Sequence, residues 1–317
     1  MSSSQPPQRR VAPAHQYTHP NPDGRRPVPV SVVIPVRNGA RHIGQTLESV
    51  LAQTRPVAEI IVVDDGSTDD SAAIAASYGV RVIQRPNGGV SAARNTGIRA
   101  ATQPWVALLD HDDIWDPRKI ELQWRAHELC PTAGVISCDF RRLRDGAVRV
   151  PSALQLPELG YTELSRERCA DEVSHLPRIA DDIHTAGFFL FPSAVLIRRD
   201  DLMTTGLFDE SLRLCEDFDC FLRVLNRTSL LMVETPLLGY REHPANNSRN
   251  HVVMLLSHEQ VERKMRRLPD SYPAGSRAFF RTHAPTWLRE AGQHLLRAGE
   301  IRRARAAFLR SFLRRPA

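Results

Sequence analysis

The chain is 317 residues long, 42% hydrophobic and 25% charged, figures ordinary for a globular protein and sufficient for one large domain or two small ones. Its longest apolar stretches, residues 188–191 and 194–197, fall far short of the roughly 20 residues a membrane helix needs, and the N-terminus lacks the apolar core of a signal peptide, so a cytoplasmic location is expected. The net charge of +6 is concentrated in arginine-rich ends; no nucleic-acid module or interleaving of arginine with stacking aromatics is visible, which argues against a nucleic-acid partner. Solvated basic tails explain the charge, with a phosphate-rich ligand or an anionic membrane surface as the alternatives.

Residues 1–27 carry Ser, Gln, Pro and Arg with almost no periodic apolar content, which predicts a disordered basic tail. Residues 30–34 read as a first strand, with Pro35 expected to stop its ladder where a ligand crevice opens. Ile43, Leu47, Val50 and Leu51 then fall at i, i+4, i+7 and i+8, the spacing of an amphipathic helix laid on a sheet. Residues 60–63 form a second strand that ends in Asp64-Asp65-Gly66-Ser67-Thr68-Asp69, an acidic strand end followed by capping residues. Residues 80–84 make a third, followed by Asn87-Gly88-Gly89, where glycine permits positive φ or close backbone approach.

The helix expected over residues 90–101 places Arg94 on the same stripe as Val90, Ala93, Gly97, Ile98 and Ala101. A guanidinium on a core-facing stripe requires an anion or a carboxylate; phosphate suits its fork geometry, and Asp64 or Asp110 are the intramolecular alternatives. Residues 105–109 read as a strand buried on both faces that runs straight into Asp110-His111-Asp112-Asp113. Such clustered carboxylates repel one another and are costly to desolvate. A hard divalent cation would neutralise them, with Asp110 and Asp112, alternate residues on extended backbone, facing one ion. The competing reading is an acidic turn that caps the helix starting near Pro117 through Asp113 and Asp116. A helix over residues 120–129 and a strand over 135–140 complete an alternation that predicts parallel βαβ units in a doubly wound α/β domain. No Gly-x-Gly-x-x-Gly follows the first strand and no Walker motif occurs, so neither a dinucleotide oxidoreductase nor a P-loop enzyme is indicated.

Four segments in order, Val32 to Asn38 (VVIPVRN), Ile61 to Asp69 (IVVDDGSTD), Gly89 to Gly97 (GVSAARNTG) and Leu109 to Asp113 (LDHDD), resemble the signature of family 2 glycosyltransferases. The resemblance covers roughly residues 28–250. It implies a GT-A fold, a mixed α/β sheet flanked by helices, together with a nucleotide-diphospho-sugar donor, Mn²⁺ or Mg²⁺, and inversion at the anomeric carbon. By that resemblance Pro35 and Asp65 contact the base and ribose side of the donor, Arg94 sits near the nucleotide, and Asp110 and Asp112 form the Asp-x-Asp element, with Asp112 touching the metal. His111, between them, receives no catalytic role.

Residues 141–187 lack clear periodicity, as a variable acceptor-side insertion or lid would; the expected division is residues 28–140 for the nucleotide-sugar half and 141–250 for the acceptor and base half. Phe218, Phe221, Leu222 and Leu225 have helical spacing, which puts Glu216 and Asp217 at a helix N-terminus. An acid in a helix's first turn needs no function to explain it, but the resemblance makes Asp217 the general base, and the helix terminus and nearby cations are expected to keep it ionised. Residues 238–248 resemble the segment that closes the family's catalytic domain, with Arg241 and His243 facing the diphosphate or the metal. Residues 251–317 read as a helical basic extension in which Ile301, Ala304, Phe308 and Phe312 form an apolar stripe among arginines; it either packs on the catalytic domain, mediates dimerisation or lies on anionic lipid. The five cysteines show no Cys-x-x-Cys spacing and read as reduced core thiols.

The expected activity is therefore a metal-assisted inverting hexosyl transfer to a glycan, lipid-linked or small-molecule acceptor. An inert nucleotide-sugar binding protein and a nucleotidyltransferase are the alternatives, and the latter would need a glycine-rich basic loop for which Arg37-Asn38-Gly39-Ala40-Arg41 is a poor substitute.

Overall fold

A computed structural model describes residues 26–177, 179–182, 189–243 and 250–314. Residues 1–25 of the tail expected over residues 1–27, Phe188 of the apolar stretch, and residues 244–248 of the closing segment lie outside these. The chain runs β1 (Val28–Val36), α1 (Ile43–Leu51), β2 (Val57–Asp64), α2 (Ser71–Ser77), β3 (Arg81–Gln84), α3 (Val90–Ala100), β4 (Trp105–Leu108), β5 (Ile114–Trp115), α4 (Lys119–Leu129) and β6 (Val135–Arg144). It continues through β7 (Ala147–Val150), β8 (Glu167–Ala170), β9 (Val173–Leu176), α5 (Ile179–Asp182), β10 (Leu196–Arg198), α6 (Arg199–Thr204), α7 (Glu216–Leu225) and β11 (Leu230–Arg241). Three helices follow: α8 (His251–Arg267), α9 (Ala274–Arg297) and α10 (Ile301–Leu313).

The strands form one sheet in the order β3-β2-β1-β4-β10-β6-β11-β9-β8, with β5 paired to β11 and β7 to β6. The first three pairings, among β3, β2, β1 and β4, are parallel, as the βαβ alternation predicts. The wholly parallel sheet does not persist: β10 inserts antiparallel between β4 and β6, because residues 196–198 return from the insertion rather than through a crossover helix. Residues 141–187 hold more strand than their missing periodicity suggested. Strands β7 and β8 are largely exposed, and an edge strand held by main-chain hydrogen bonds needs no apolar alternation to form.

Strand β1 is flanked by β2 on one side and β4 on the other, so the chain reverses direction across the sheet at β1, and the carboxyl ends of these three strands frame a crevice of the kind where α/β sheets bind ligands. Pro35 does not stop the ladder as expected; β1 pairs with β2 through Pro35↔Val63 and Val36↔Asp64. Alternate residues of a strand point their main-chain groups the same way. Val33 O accepts from Leu109 N on the β4 side while Val36 O accepts from Asp65 N on the β2 side. The proline's missing N–H thus faces the β4 side, beyond the last β1–β4 pair at Val33↔Leu108, where no ladder bond is lost.

Helix α1 buries Ile43, Leu47 and Val50 as its periodicity predicts. Helix α3 lies so close to the sheet that a Cβ on Gly97 would come 2.3 Å from a Val33 methyl. The core continues into the C-terminal helices: Val261, Met265, Tyr272 and Phe280 belong to the same buried cluster as the sheet residues. Helix α10 packs through Ala304, Ala307 and Ser311, with Phe308 half-buried against the same cluster; half of the predicted stripe, Ala304 and Phe308, thus packs, whereas Ile301 and Phe312 are exposed. Its orientation is set by charge as well as packing, because Arg310 and Arg314 reach Glu259 and Glu262 on α8, both buried. Of the cysteines, Cys138, Cys215 and Cys220 are buried, Cys130 is intermediate, and Cys169 is exposed on the edge strand β8 instead of in the core. Among the described residues no helix is long and apolar enough to cross a membrane.

Candidate active site

The acidic strand ends supply much of their own neutralisation. Asp65, 3% exposed just past β2, accepts from Arg85 Nη1 at 2.8 Å, Gly88 N at 3.0 Å and Gly89 N at 2.7 Å. It thereby fixes the turn into α3, whose N-cap Gly89 has φ +90°, a backbone that a side chain would strain. Asp64 Oδ1 accepts from Ser67 N. Pro35 is buried in β1, one residue from the strand end beside Asp64 and Asp65.

Arg94 stands on α3 with only 3% of its surface exposed. One guanidinium nitrogen donates to Asp110 Oδ1 at 2.7 Å and another to Glu216 Oε1 at 2.9 Å, and the plane lies 5.2 Å from the Phe208 ring. The intramolecular pair with Asp110 therefore forms, and Glu216 joins it; Arg94 Nε is buried without a partner. Phe208 is positioned by Asn95, which accepts from Phe208 N and donates to its carbonyl. These contacts tie the crevice end of β4 to the first turn of α7, 122 residues apart in sequence at Arg94 and Glu216.

Asp217 follows at the α7 N-terminus, which Cys215 enters with φ +62°. Its Oδ1 accepts from Phe218 N at 2.7 Å. Burial, then the neighbouring Glu216 carboxylate, push the Asp217 carboxyl up to about 7, while Arg94 pulls in the opposite direction. This reverses the expectation that the helix terminus would keep Asp217 fully ionised: the dipole acts on both acids of the turn, but Arg94 is already bonded to Glu216 and Asp110, so Asp217 bears the desolvation and the repulsion.

The third cluster surrounds Asp112. His243 Nε2 lies 2.8 Å from Asp112 Oδ2, and the His42 ring stacks on His243 at 5.7 Å between centroids. Arg241 contacts His42 Nδ1 at 3.3 Å and donates to Gln45. Burial and the adjacent Arg241 lower the His42 pKa, which favours the neutral ring in this basic corner. Asp113 does not cap the following helix; it is buried, accepts from Ser193 Oγ at 2.6 Å and Arg241 N at 3.1 Å, and its pKa is raised by burial and by Asp112 and Asp110. Asp116 does accept from Arg118 N, the residue before α4.

An oxygen and a nitrogen donor at Asp112 and His243 fit a hexacoordinate cation that takes its other ligands from water and phosphate. Asp110 points to Arg94 instead and does not converge with them as a third ligand. The site thus brings together Arg94, Asp110 and Asp217 in one cluster and Asp112 and His243 in another, with Pro35 and Asp65 at the neighbouring strand ends. Sequence reasoning passed over Ser193, whose hydroxyl donates to Asp113, accepts from Asp110 N and whose carbonyl accepts from Trp115 Nε1. A serine in an irregular stretch carries no spacing signal. It also passed over His42, which stands directly before α1 and outside its apolar stripe.

A mixed sheet with a switch point at its first strand and acids at the adjoining strand ends defines the class as a GT-A transferase fold, and solved structures agree. The chain is similar to S. aureus TarS 1–349, with a TM-score of 0.59 at 16% identity over 88% of this chain and 90% of that one. TarS 1–349 has also been solved with UDP and with UDP-GlcNAc. A mannosyltransferase from Pyrobaculum calidifontis, solved with GDP-Man and Mn²⁺, gives 0.55 at 20% identity over 87% and 78%. Residues 31–175 match the model of Glycosyl transferase family 2 and residues 174–265 that of Glycosyltransferase like family 2. An uncharacterized glycosyltransferase of Rickettsia prowazekii is 31% identical over 73% of this chain and 70% of its own length; EpsJ of Bacillus subtilis, named likewise, is 30% identical over 68% and 61%. The chain belongs to glycosyltransferase family 2.

Proposed function

We propose that this glycosyltransferase moves a hexosyl group, with inversion, from a nucleotide-diphospho-sugar to the hydroxyl of a glycan, lipid-linked or small-molecule acceptor, in the synthesis of a polysaccharide, cell-surface glycan or glycolipid. The observation that carries the reading is the placement of Asp217: it stands at a helix N-terminus beside Glu216, which Arg94 ties to Asp110 at the end of β4, and with its pKa raised to about 7 by burial and by Glu216 it is suited to accept a proton at neutral pH. The acceptor oxygen attacks the anomeric carbon and gives its proton to Asp217, and the bond to the diphosphate breaks with its electron pair on the departing oxygen. Arg94 holds Asp110 and Glu216 in place and keeps positive charge beside the base. Pro35 and Asp65 serve the nucleoside side of the donor. Asp112 with His243 would hold Mn²⁺ or Mg²⁺, which supplies charge stabilisation to the leaving diphosphate. The nucleotide-sugar complexes of the two structural neighbours support this choice of donor class.

Contact with a membrane surface is also proposed, through α10. Leu309, Phe312 and Leu313 are 59%, 67% and 71% exposed, and Arg302 and Arg305 share their outward side by helical spacing.

Calorimetric titration of UDP, GDP and dTDP and their sugars, with Mn²⁺ or Mg²⁺ and with chelator, tests the donor reading. Metal-dependent binding of one nucleotide, lost in Asp112→Ala, is expected. No binding under any condition would remove the basis for it.

A further inference from the structure

Outside the crevice, the C-terminal helices bring together a second set of ligand-type side chains. Glu290 and His294 lie one turn apart on α9, and His251 is the first residue of α8; one donor atom from each of the three lies within 4.8 Å of the others, the one such trio among the described residues. His251 Nε2 is 2.8 Å from Glu290 Oε1, and the two imidazoles meet edge to face with centroids 5.2 Å apart. An ion pair between His251 and Glu290 accounts for two of these residues, and the edge-to-face contact with the His251 ring holds the His294 imidazole beside them. The i,i+4 spacing of Glu290 and His294 sends both side chains to one side of α9, and Asn250, accepting from Val253 N, caps α8 directly before His251.

We propose that His251, Glu290 and His294 form a zinc site that clips the start of α8 to α9. Two imidazoles and one carboxylate are a zinc ligand set, with water in the fourth position. Metal–ligand bonds of about 2.0 Å place tetrahedral donors roughly 3.3 Å apart, so donors already within 4.8 Å need only side-chain rotation to close. Two nitrogen ligands favour a late first-row ion over Mg²⁺, whereas the crevice offers a single nitrogen, at His243 beside Asp112. The clip would be structural: α8 and α9 support the base-bearing helix, since Phe218 of α7 packs on Phe280 of α9 at 5.3 Å and on His258 of α8 at 6.5 Å.

The test uses the full-length, tag-free protein stripped with chelator and titrated with Zn²⁺ in competition with a chromogenic chelator, with the thermal midpoint followed in parallel. One equivalent of zinc is expected to bind and raise the midpoint, with the same behaviour in Asp112→Asn. In His294→Ala and in the more conservative Glu290→Gln, affinity should fall at least about tenfold, since even outer-shell substitutions cost that much, and the zinc-dependent rise in midpoint should shrink with it. Circular dichroism of each zinc-free variant should match that of the zinc-free parent, so that lost binding is not lost folding. Zinc affinity unchanged by both α9 substitutions, or abolished by Asp112→Asn, would overturn the assignment.

Discussion

Glu216 and Asp217 are adjacent carboxylates on one helical turn, and their different partners divide their roles. Glu216 is bonded to Arg94, whereas Asp217 is left with a main-chain hydrogen bond and a pKa of about 7. Its carboxyl binds a proton more tightly than an exposed aspartate, so below pH 7 the proposed base is mostly occupied, and kcat/KM should rise about tenfold per pH unit toward a plateau above 7. Glu216→Gln removes the charge that raises this pKa, so the acid limb should move to lower pH in a pH–rate profile, whereas a purely structural Glu216 would lower the rate without moving the limb. Asp217→Asn should cost about 10²–10⁴-fold in transfer while leaving nucleotide affinity by calorimetry within a few-fold. The acids at the strand ends stood out in the sequence against apolar runs, whereas Asp217, at a helix start where capping explains an acid, was singled out only by the family resemblance. The sign of the Asp217 shift was not legible in the sequence, because it depends on which carboxylate Arg94 reaches across 122 residues.

The same limit applies to elements. The first strands and helices α1 and α3 follow from local periodicity, but the position of β10 and the role of Ser193 depend on contacts distant in sequence. Gly97 has a helical position that any residue could occupy by backbone conformation; only the distance to Val33 explains it. Gly97→Ala should therefore destabilise by about 1–3 kcal/mol through overpacking, despite alanine's higher helix propensity. The double variant Gly97→Ala with Val33→Ala should recover part of that loss in urea denaturation, and strict additivity would sink the explanation. Helix α4 presents a second case. Lys119 is fully buried, bonded to Gln123 and 4.1 Å from the Trp115 ring, and burial pushes its pKa down to about 8 from 10.5. The folded state therefore binds fewer protons than the unfolded chain between those values, so stability rises as pH climbs from about 8 toward 10. Lys119→Met should remove that rise and be more stable near pH 7, by at most about 3 kcal/mol from the shift, less roughly 1 kcal/mol for the lost hydrogen bond. Denaturant midpoints at pH 7 and pH 10 for both proteins measure it.

At the scale of the molecule, the C-terminal helices extend the catalytic core on one side and expose a mixed apolar and basic face on the other. The arginine content of α10 was legible in the sequence, but its division between two tasks was not: Arg310 and Arg314 dock the helix on buried Glu259 and Glu262, while Arg302 and Arg305 stand outward with Leu309, Phe312 and Leu313. Docking fixes the rotation of α10 and hence which residues remain to meet a surface. If that surface is anionic lipid, two classes of substitution should weaken binding in different ways. Replacing Arg302 and Arg305 by Gln removes about 1 kcal/mol each, a loss of roughly thirtyfold together that disappears at high salt. Replacing Leu309 and Phe312 by Ser removes apolar insertion, a loss that salt leaves in place. Co-sedimentation with phosphatidylserine vesicles and with neutral phosphatidylcholine vesicles, at low and high ionic strength, separates the two. Neither substitution should alter nucleotide binding, because α10 contributes nothing to the crevice at β1, β2 and β4. Equal partitioning of parent and variants onto anionic vesicles would mean that this face meets something other than lipid.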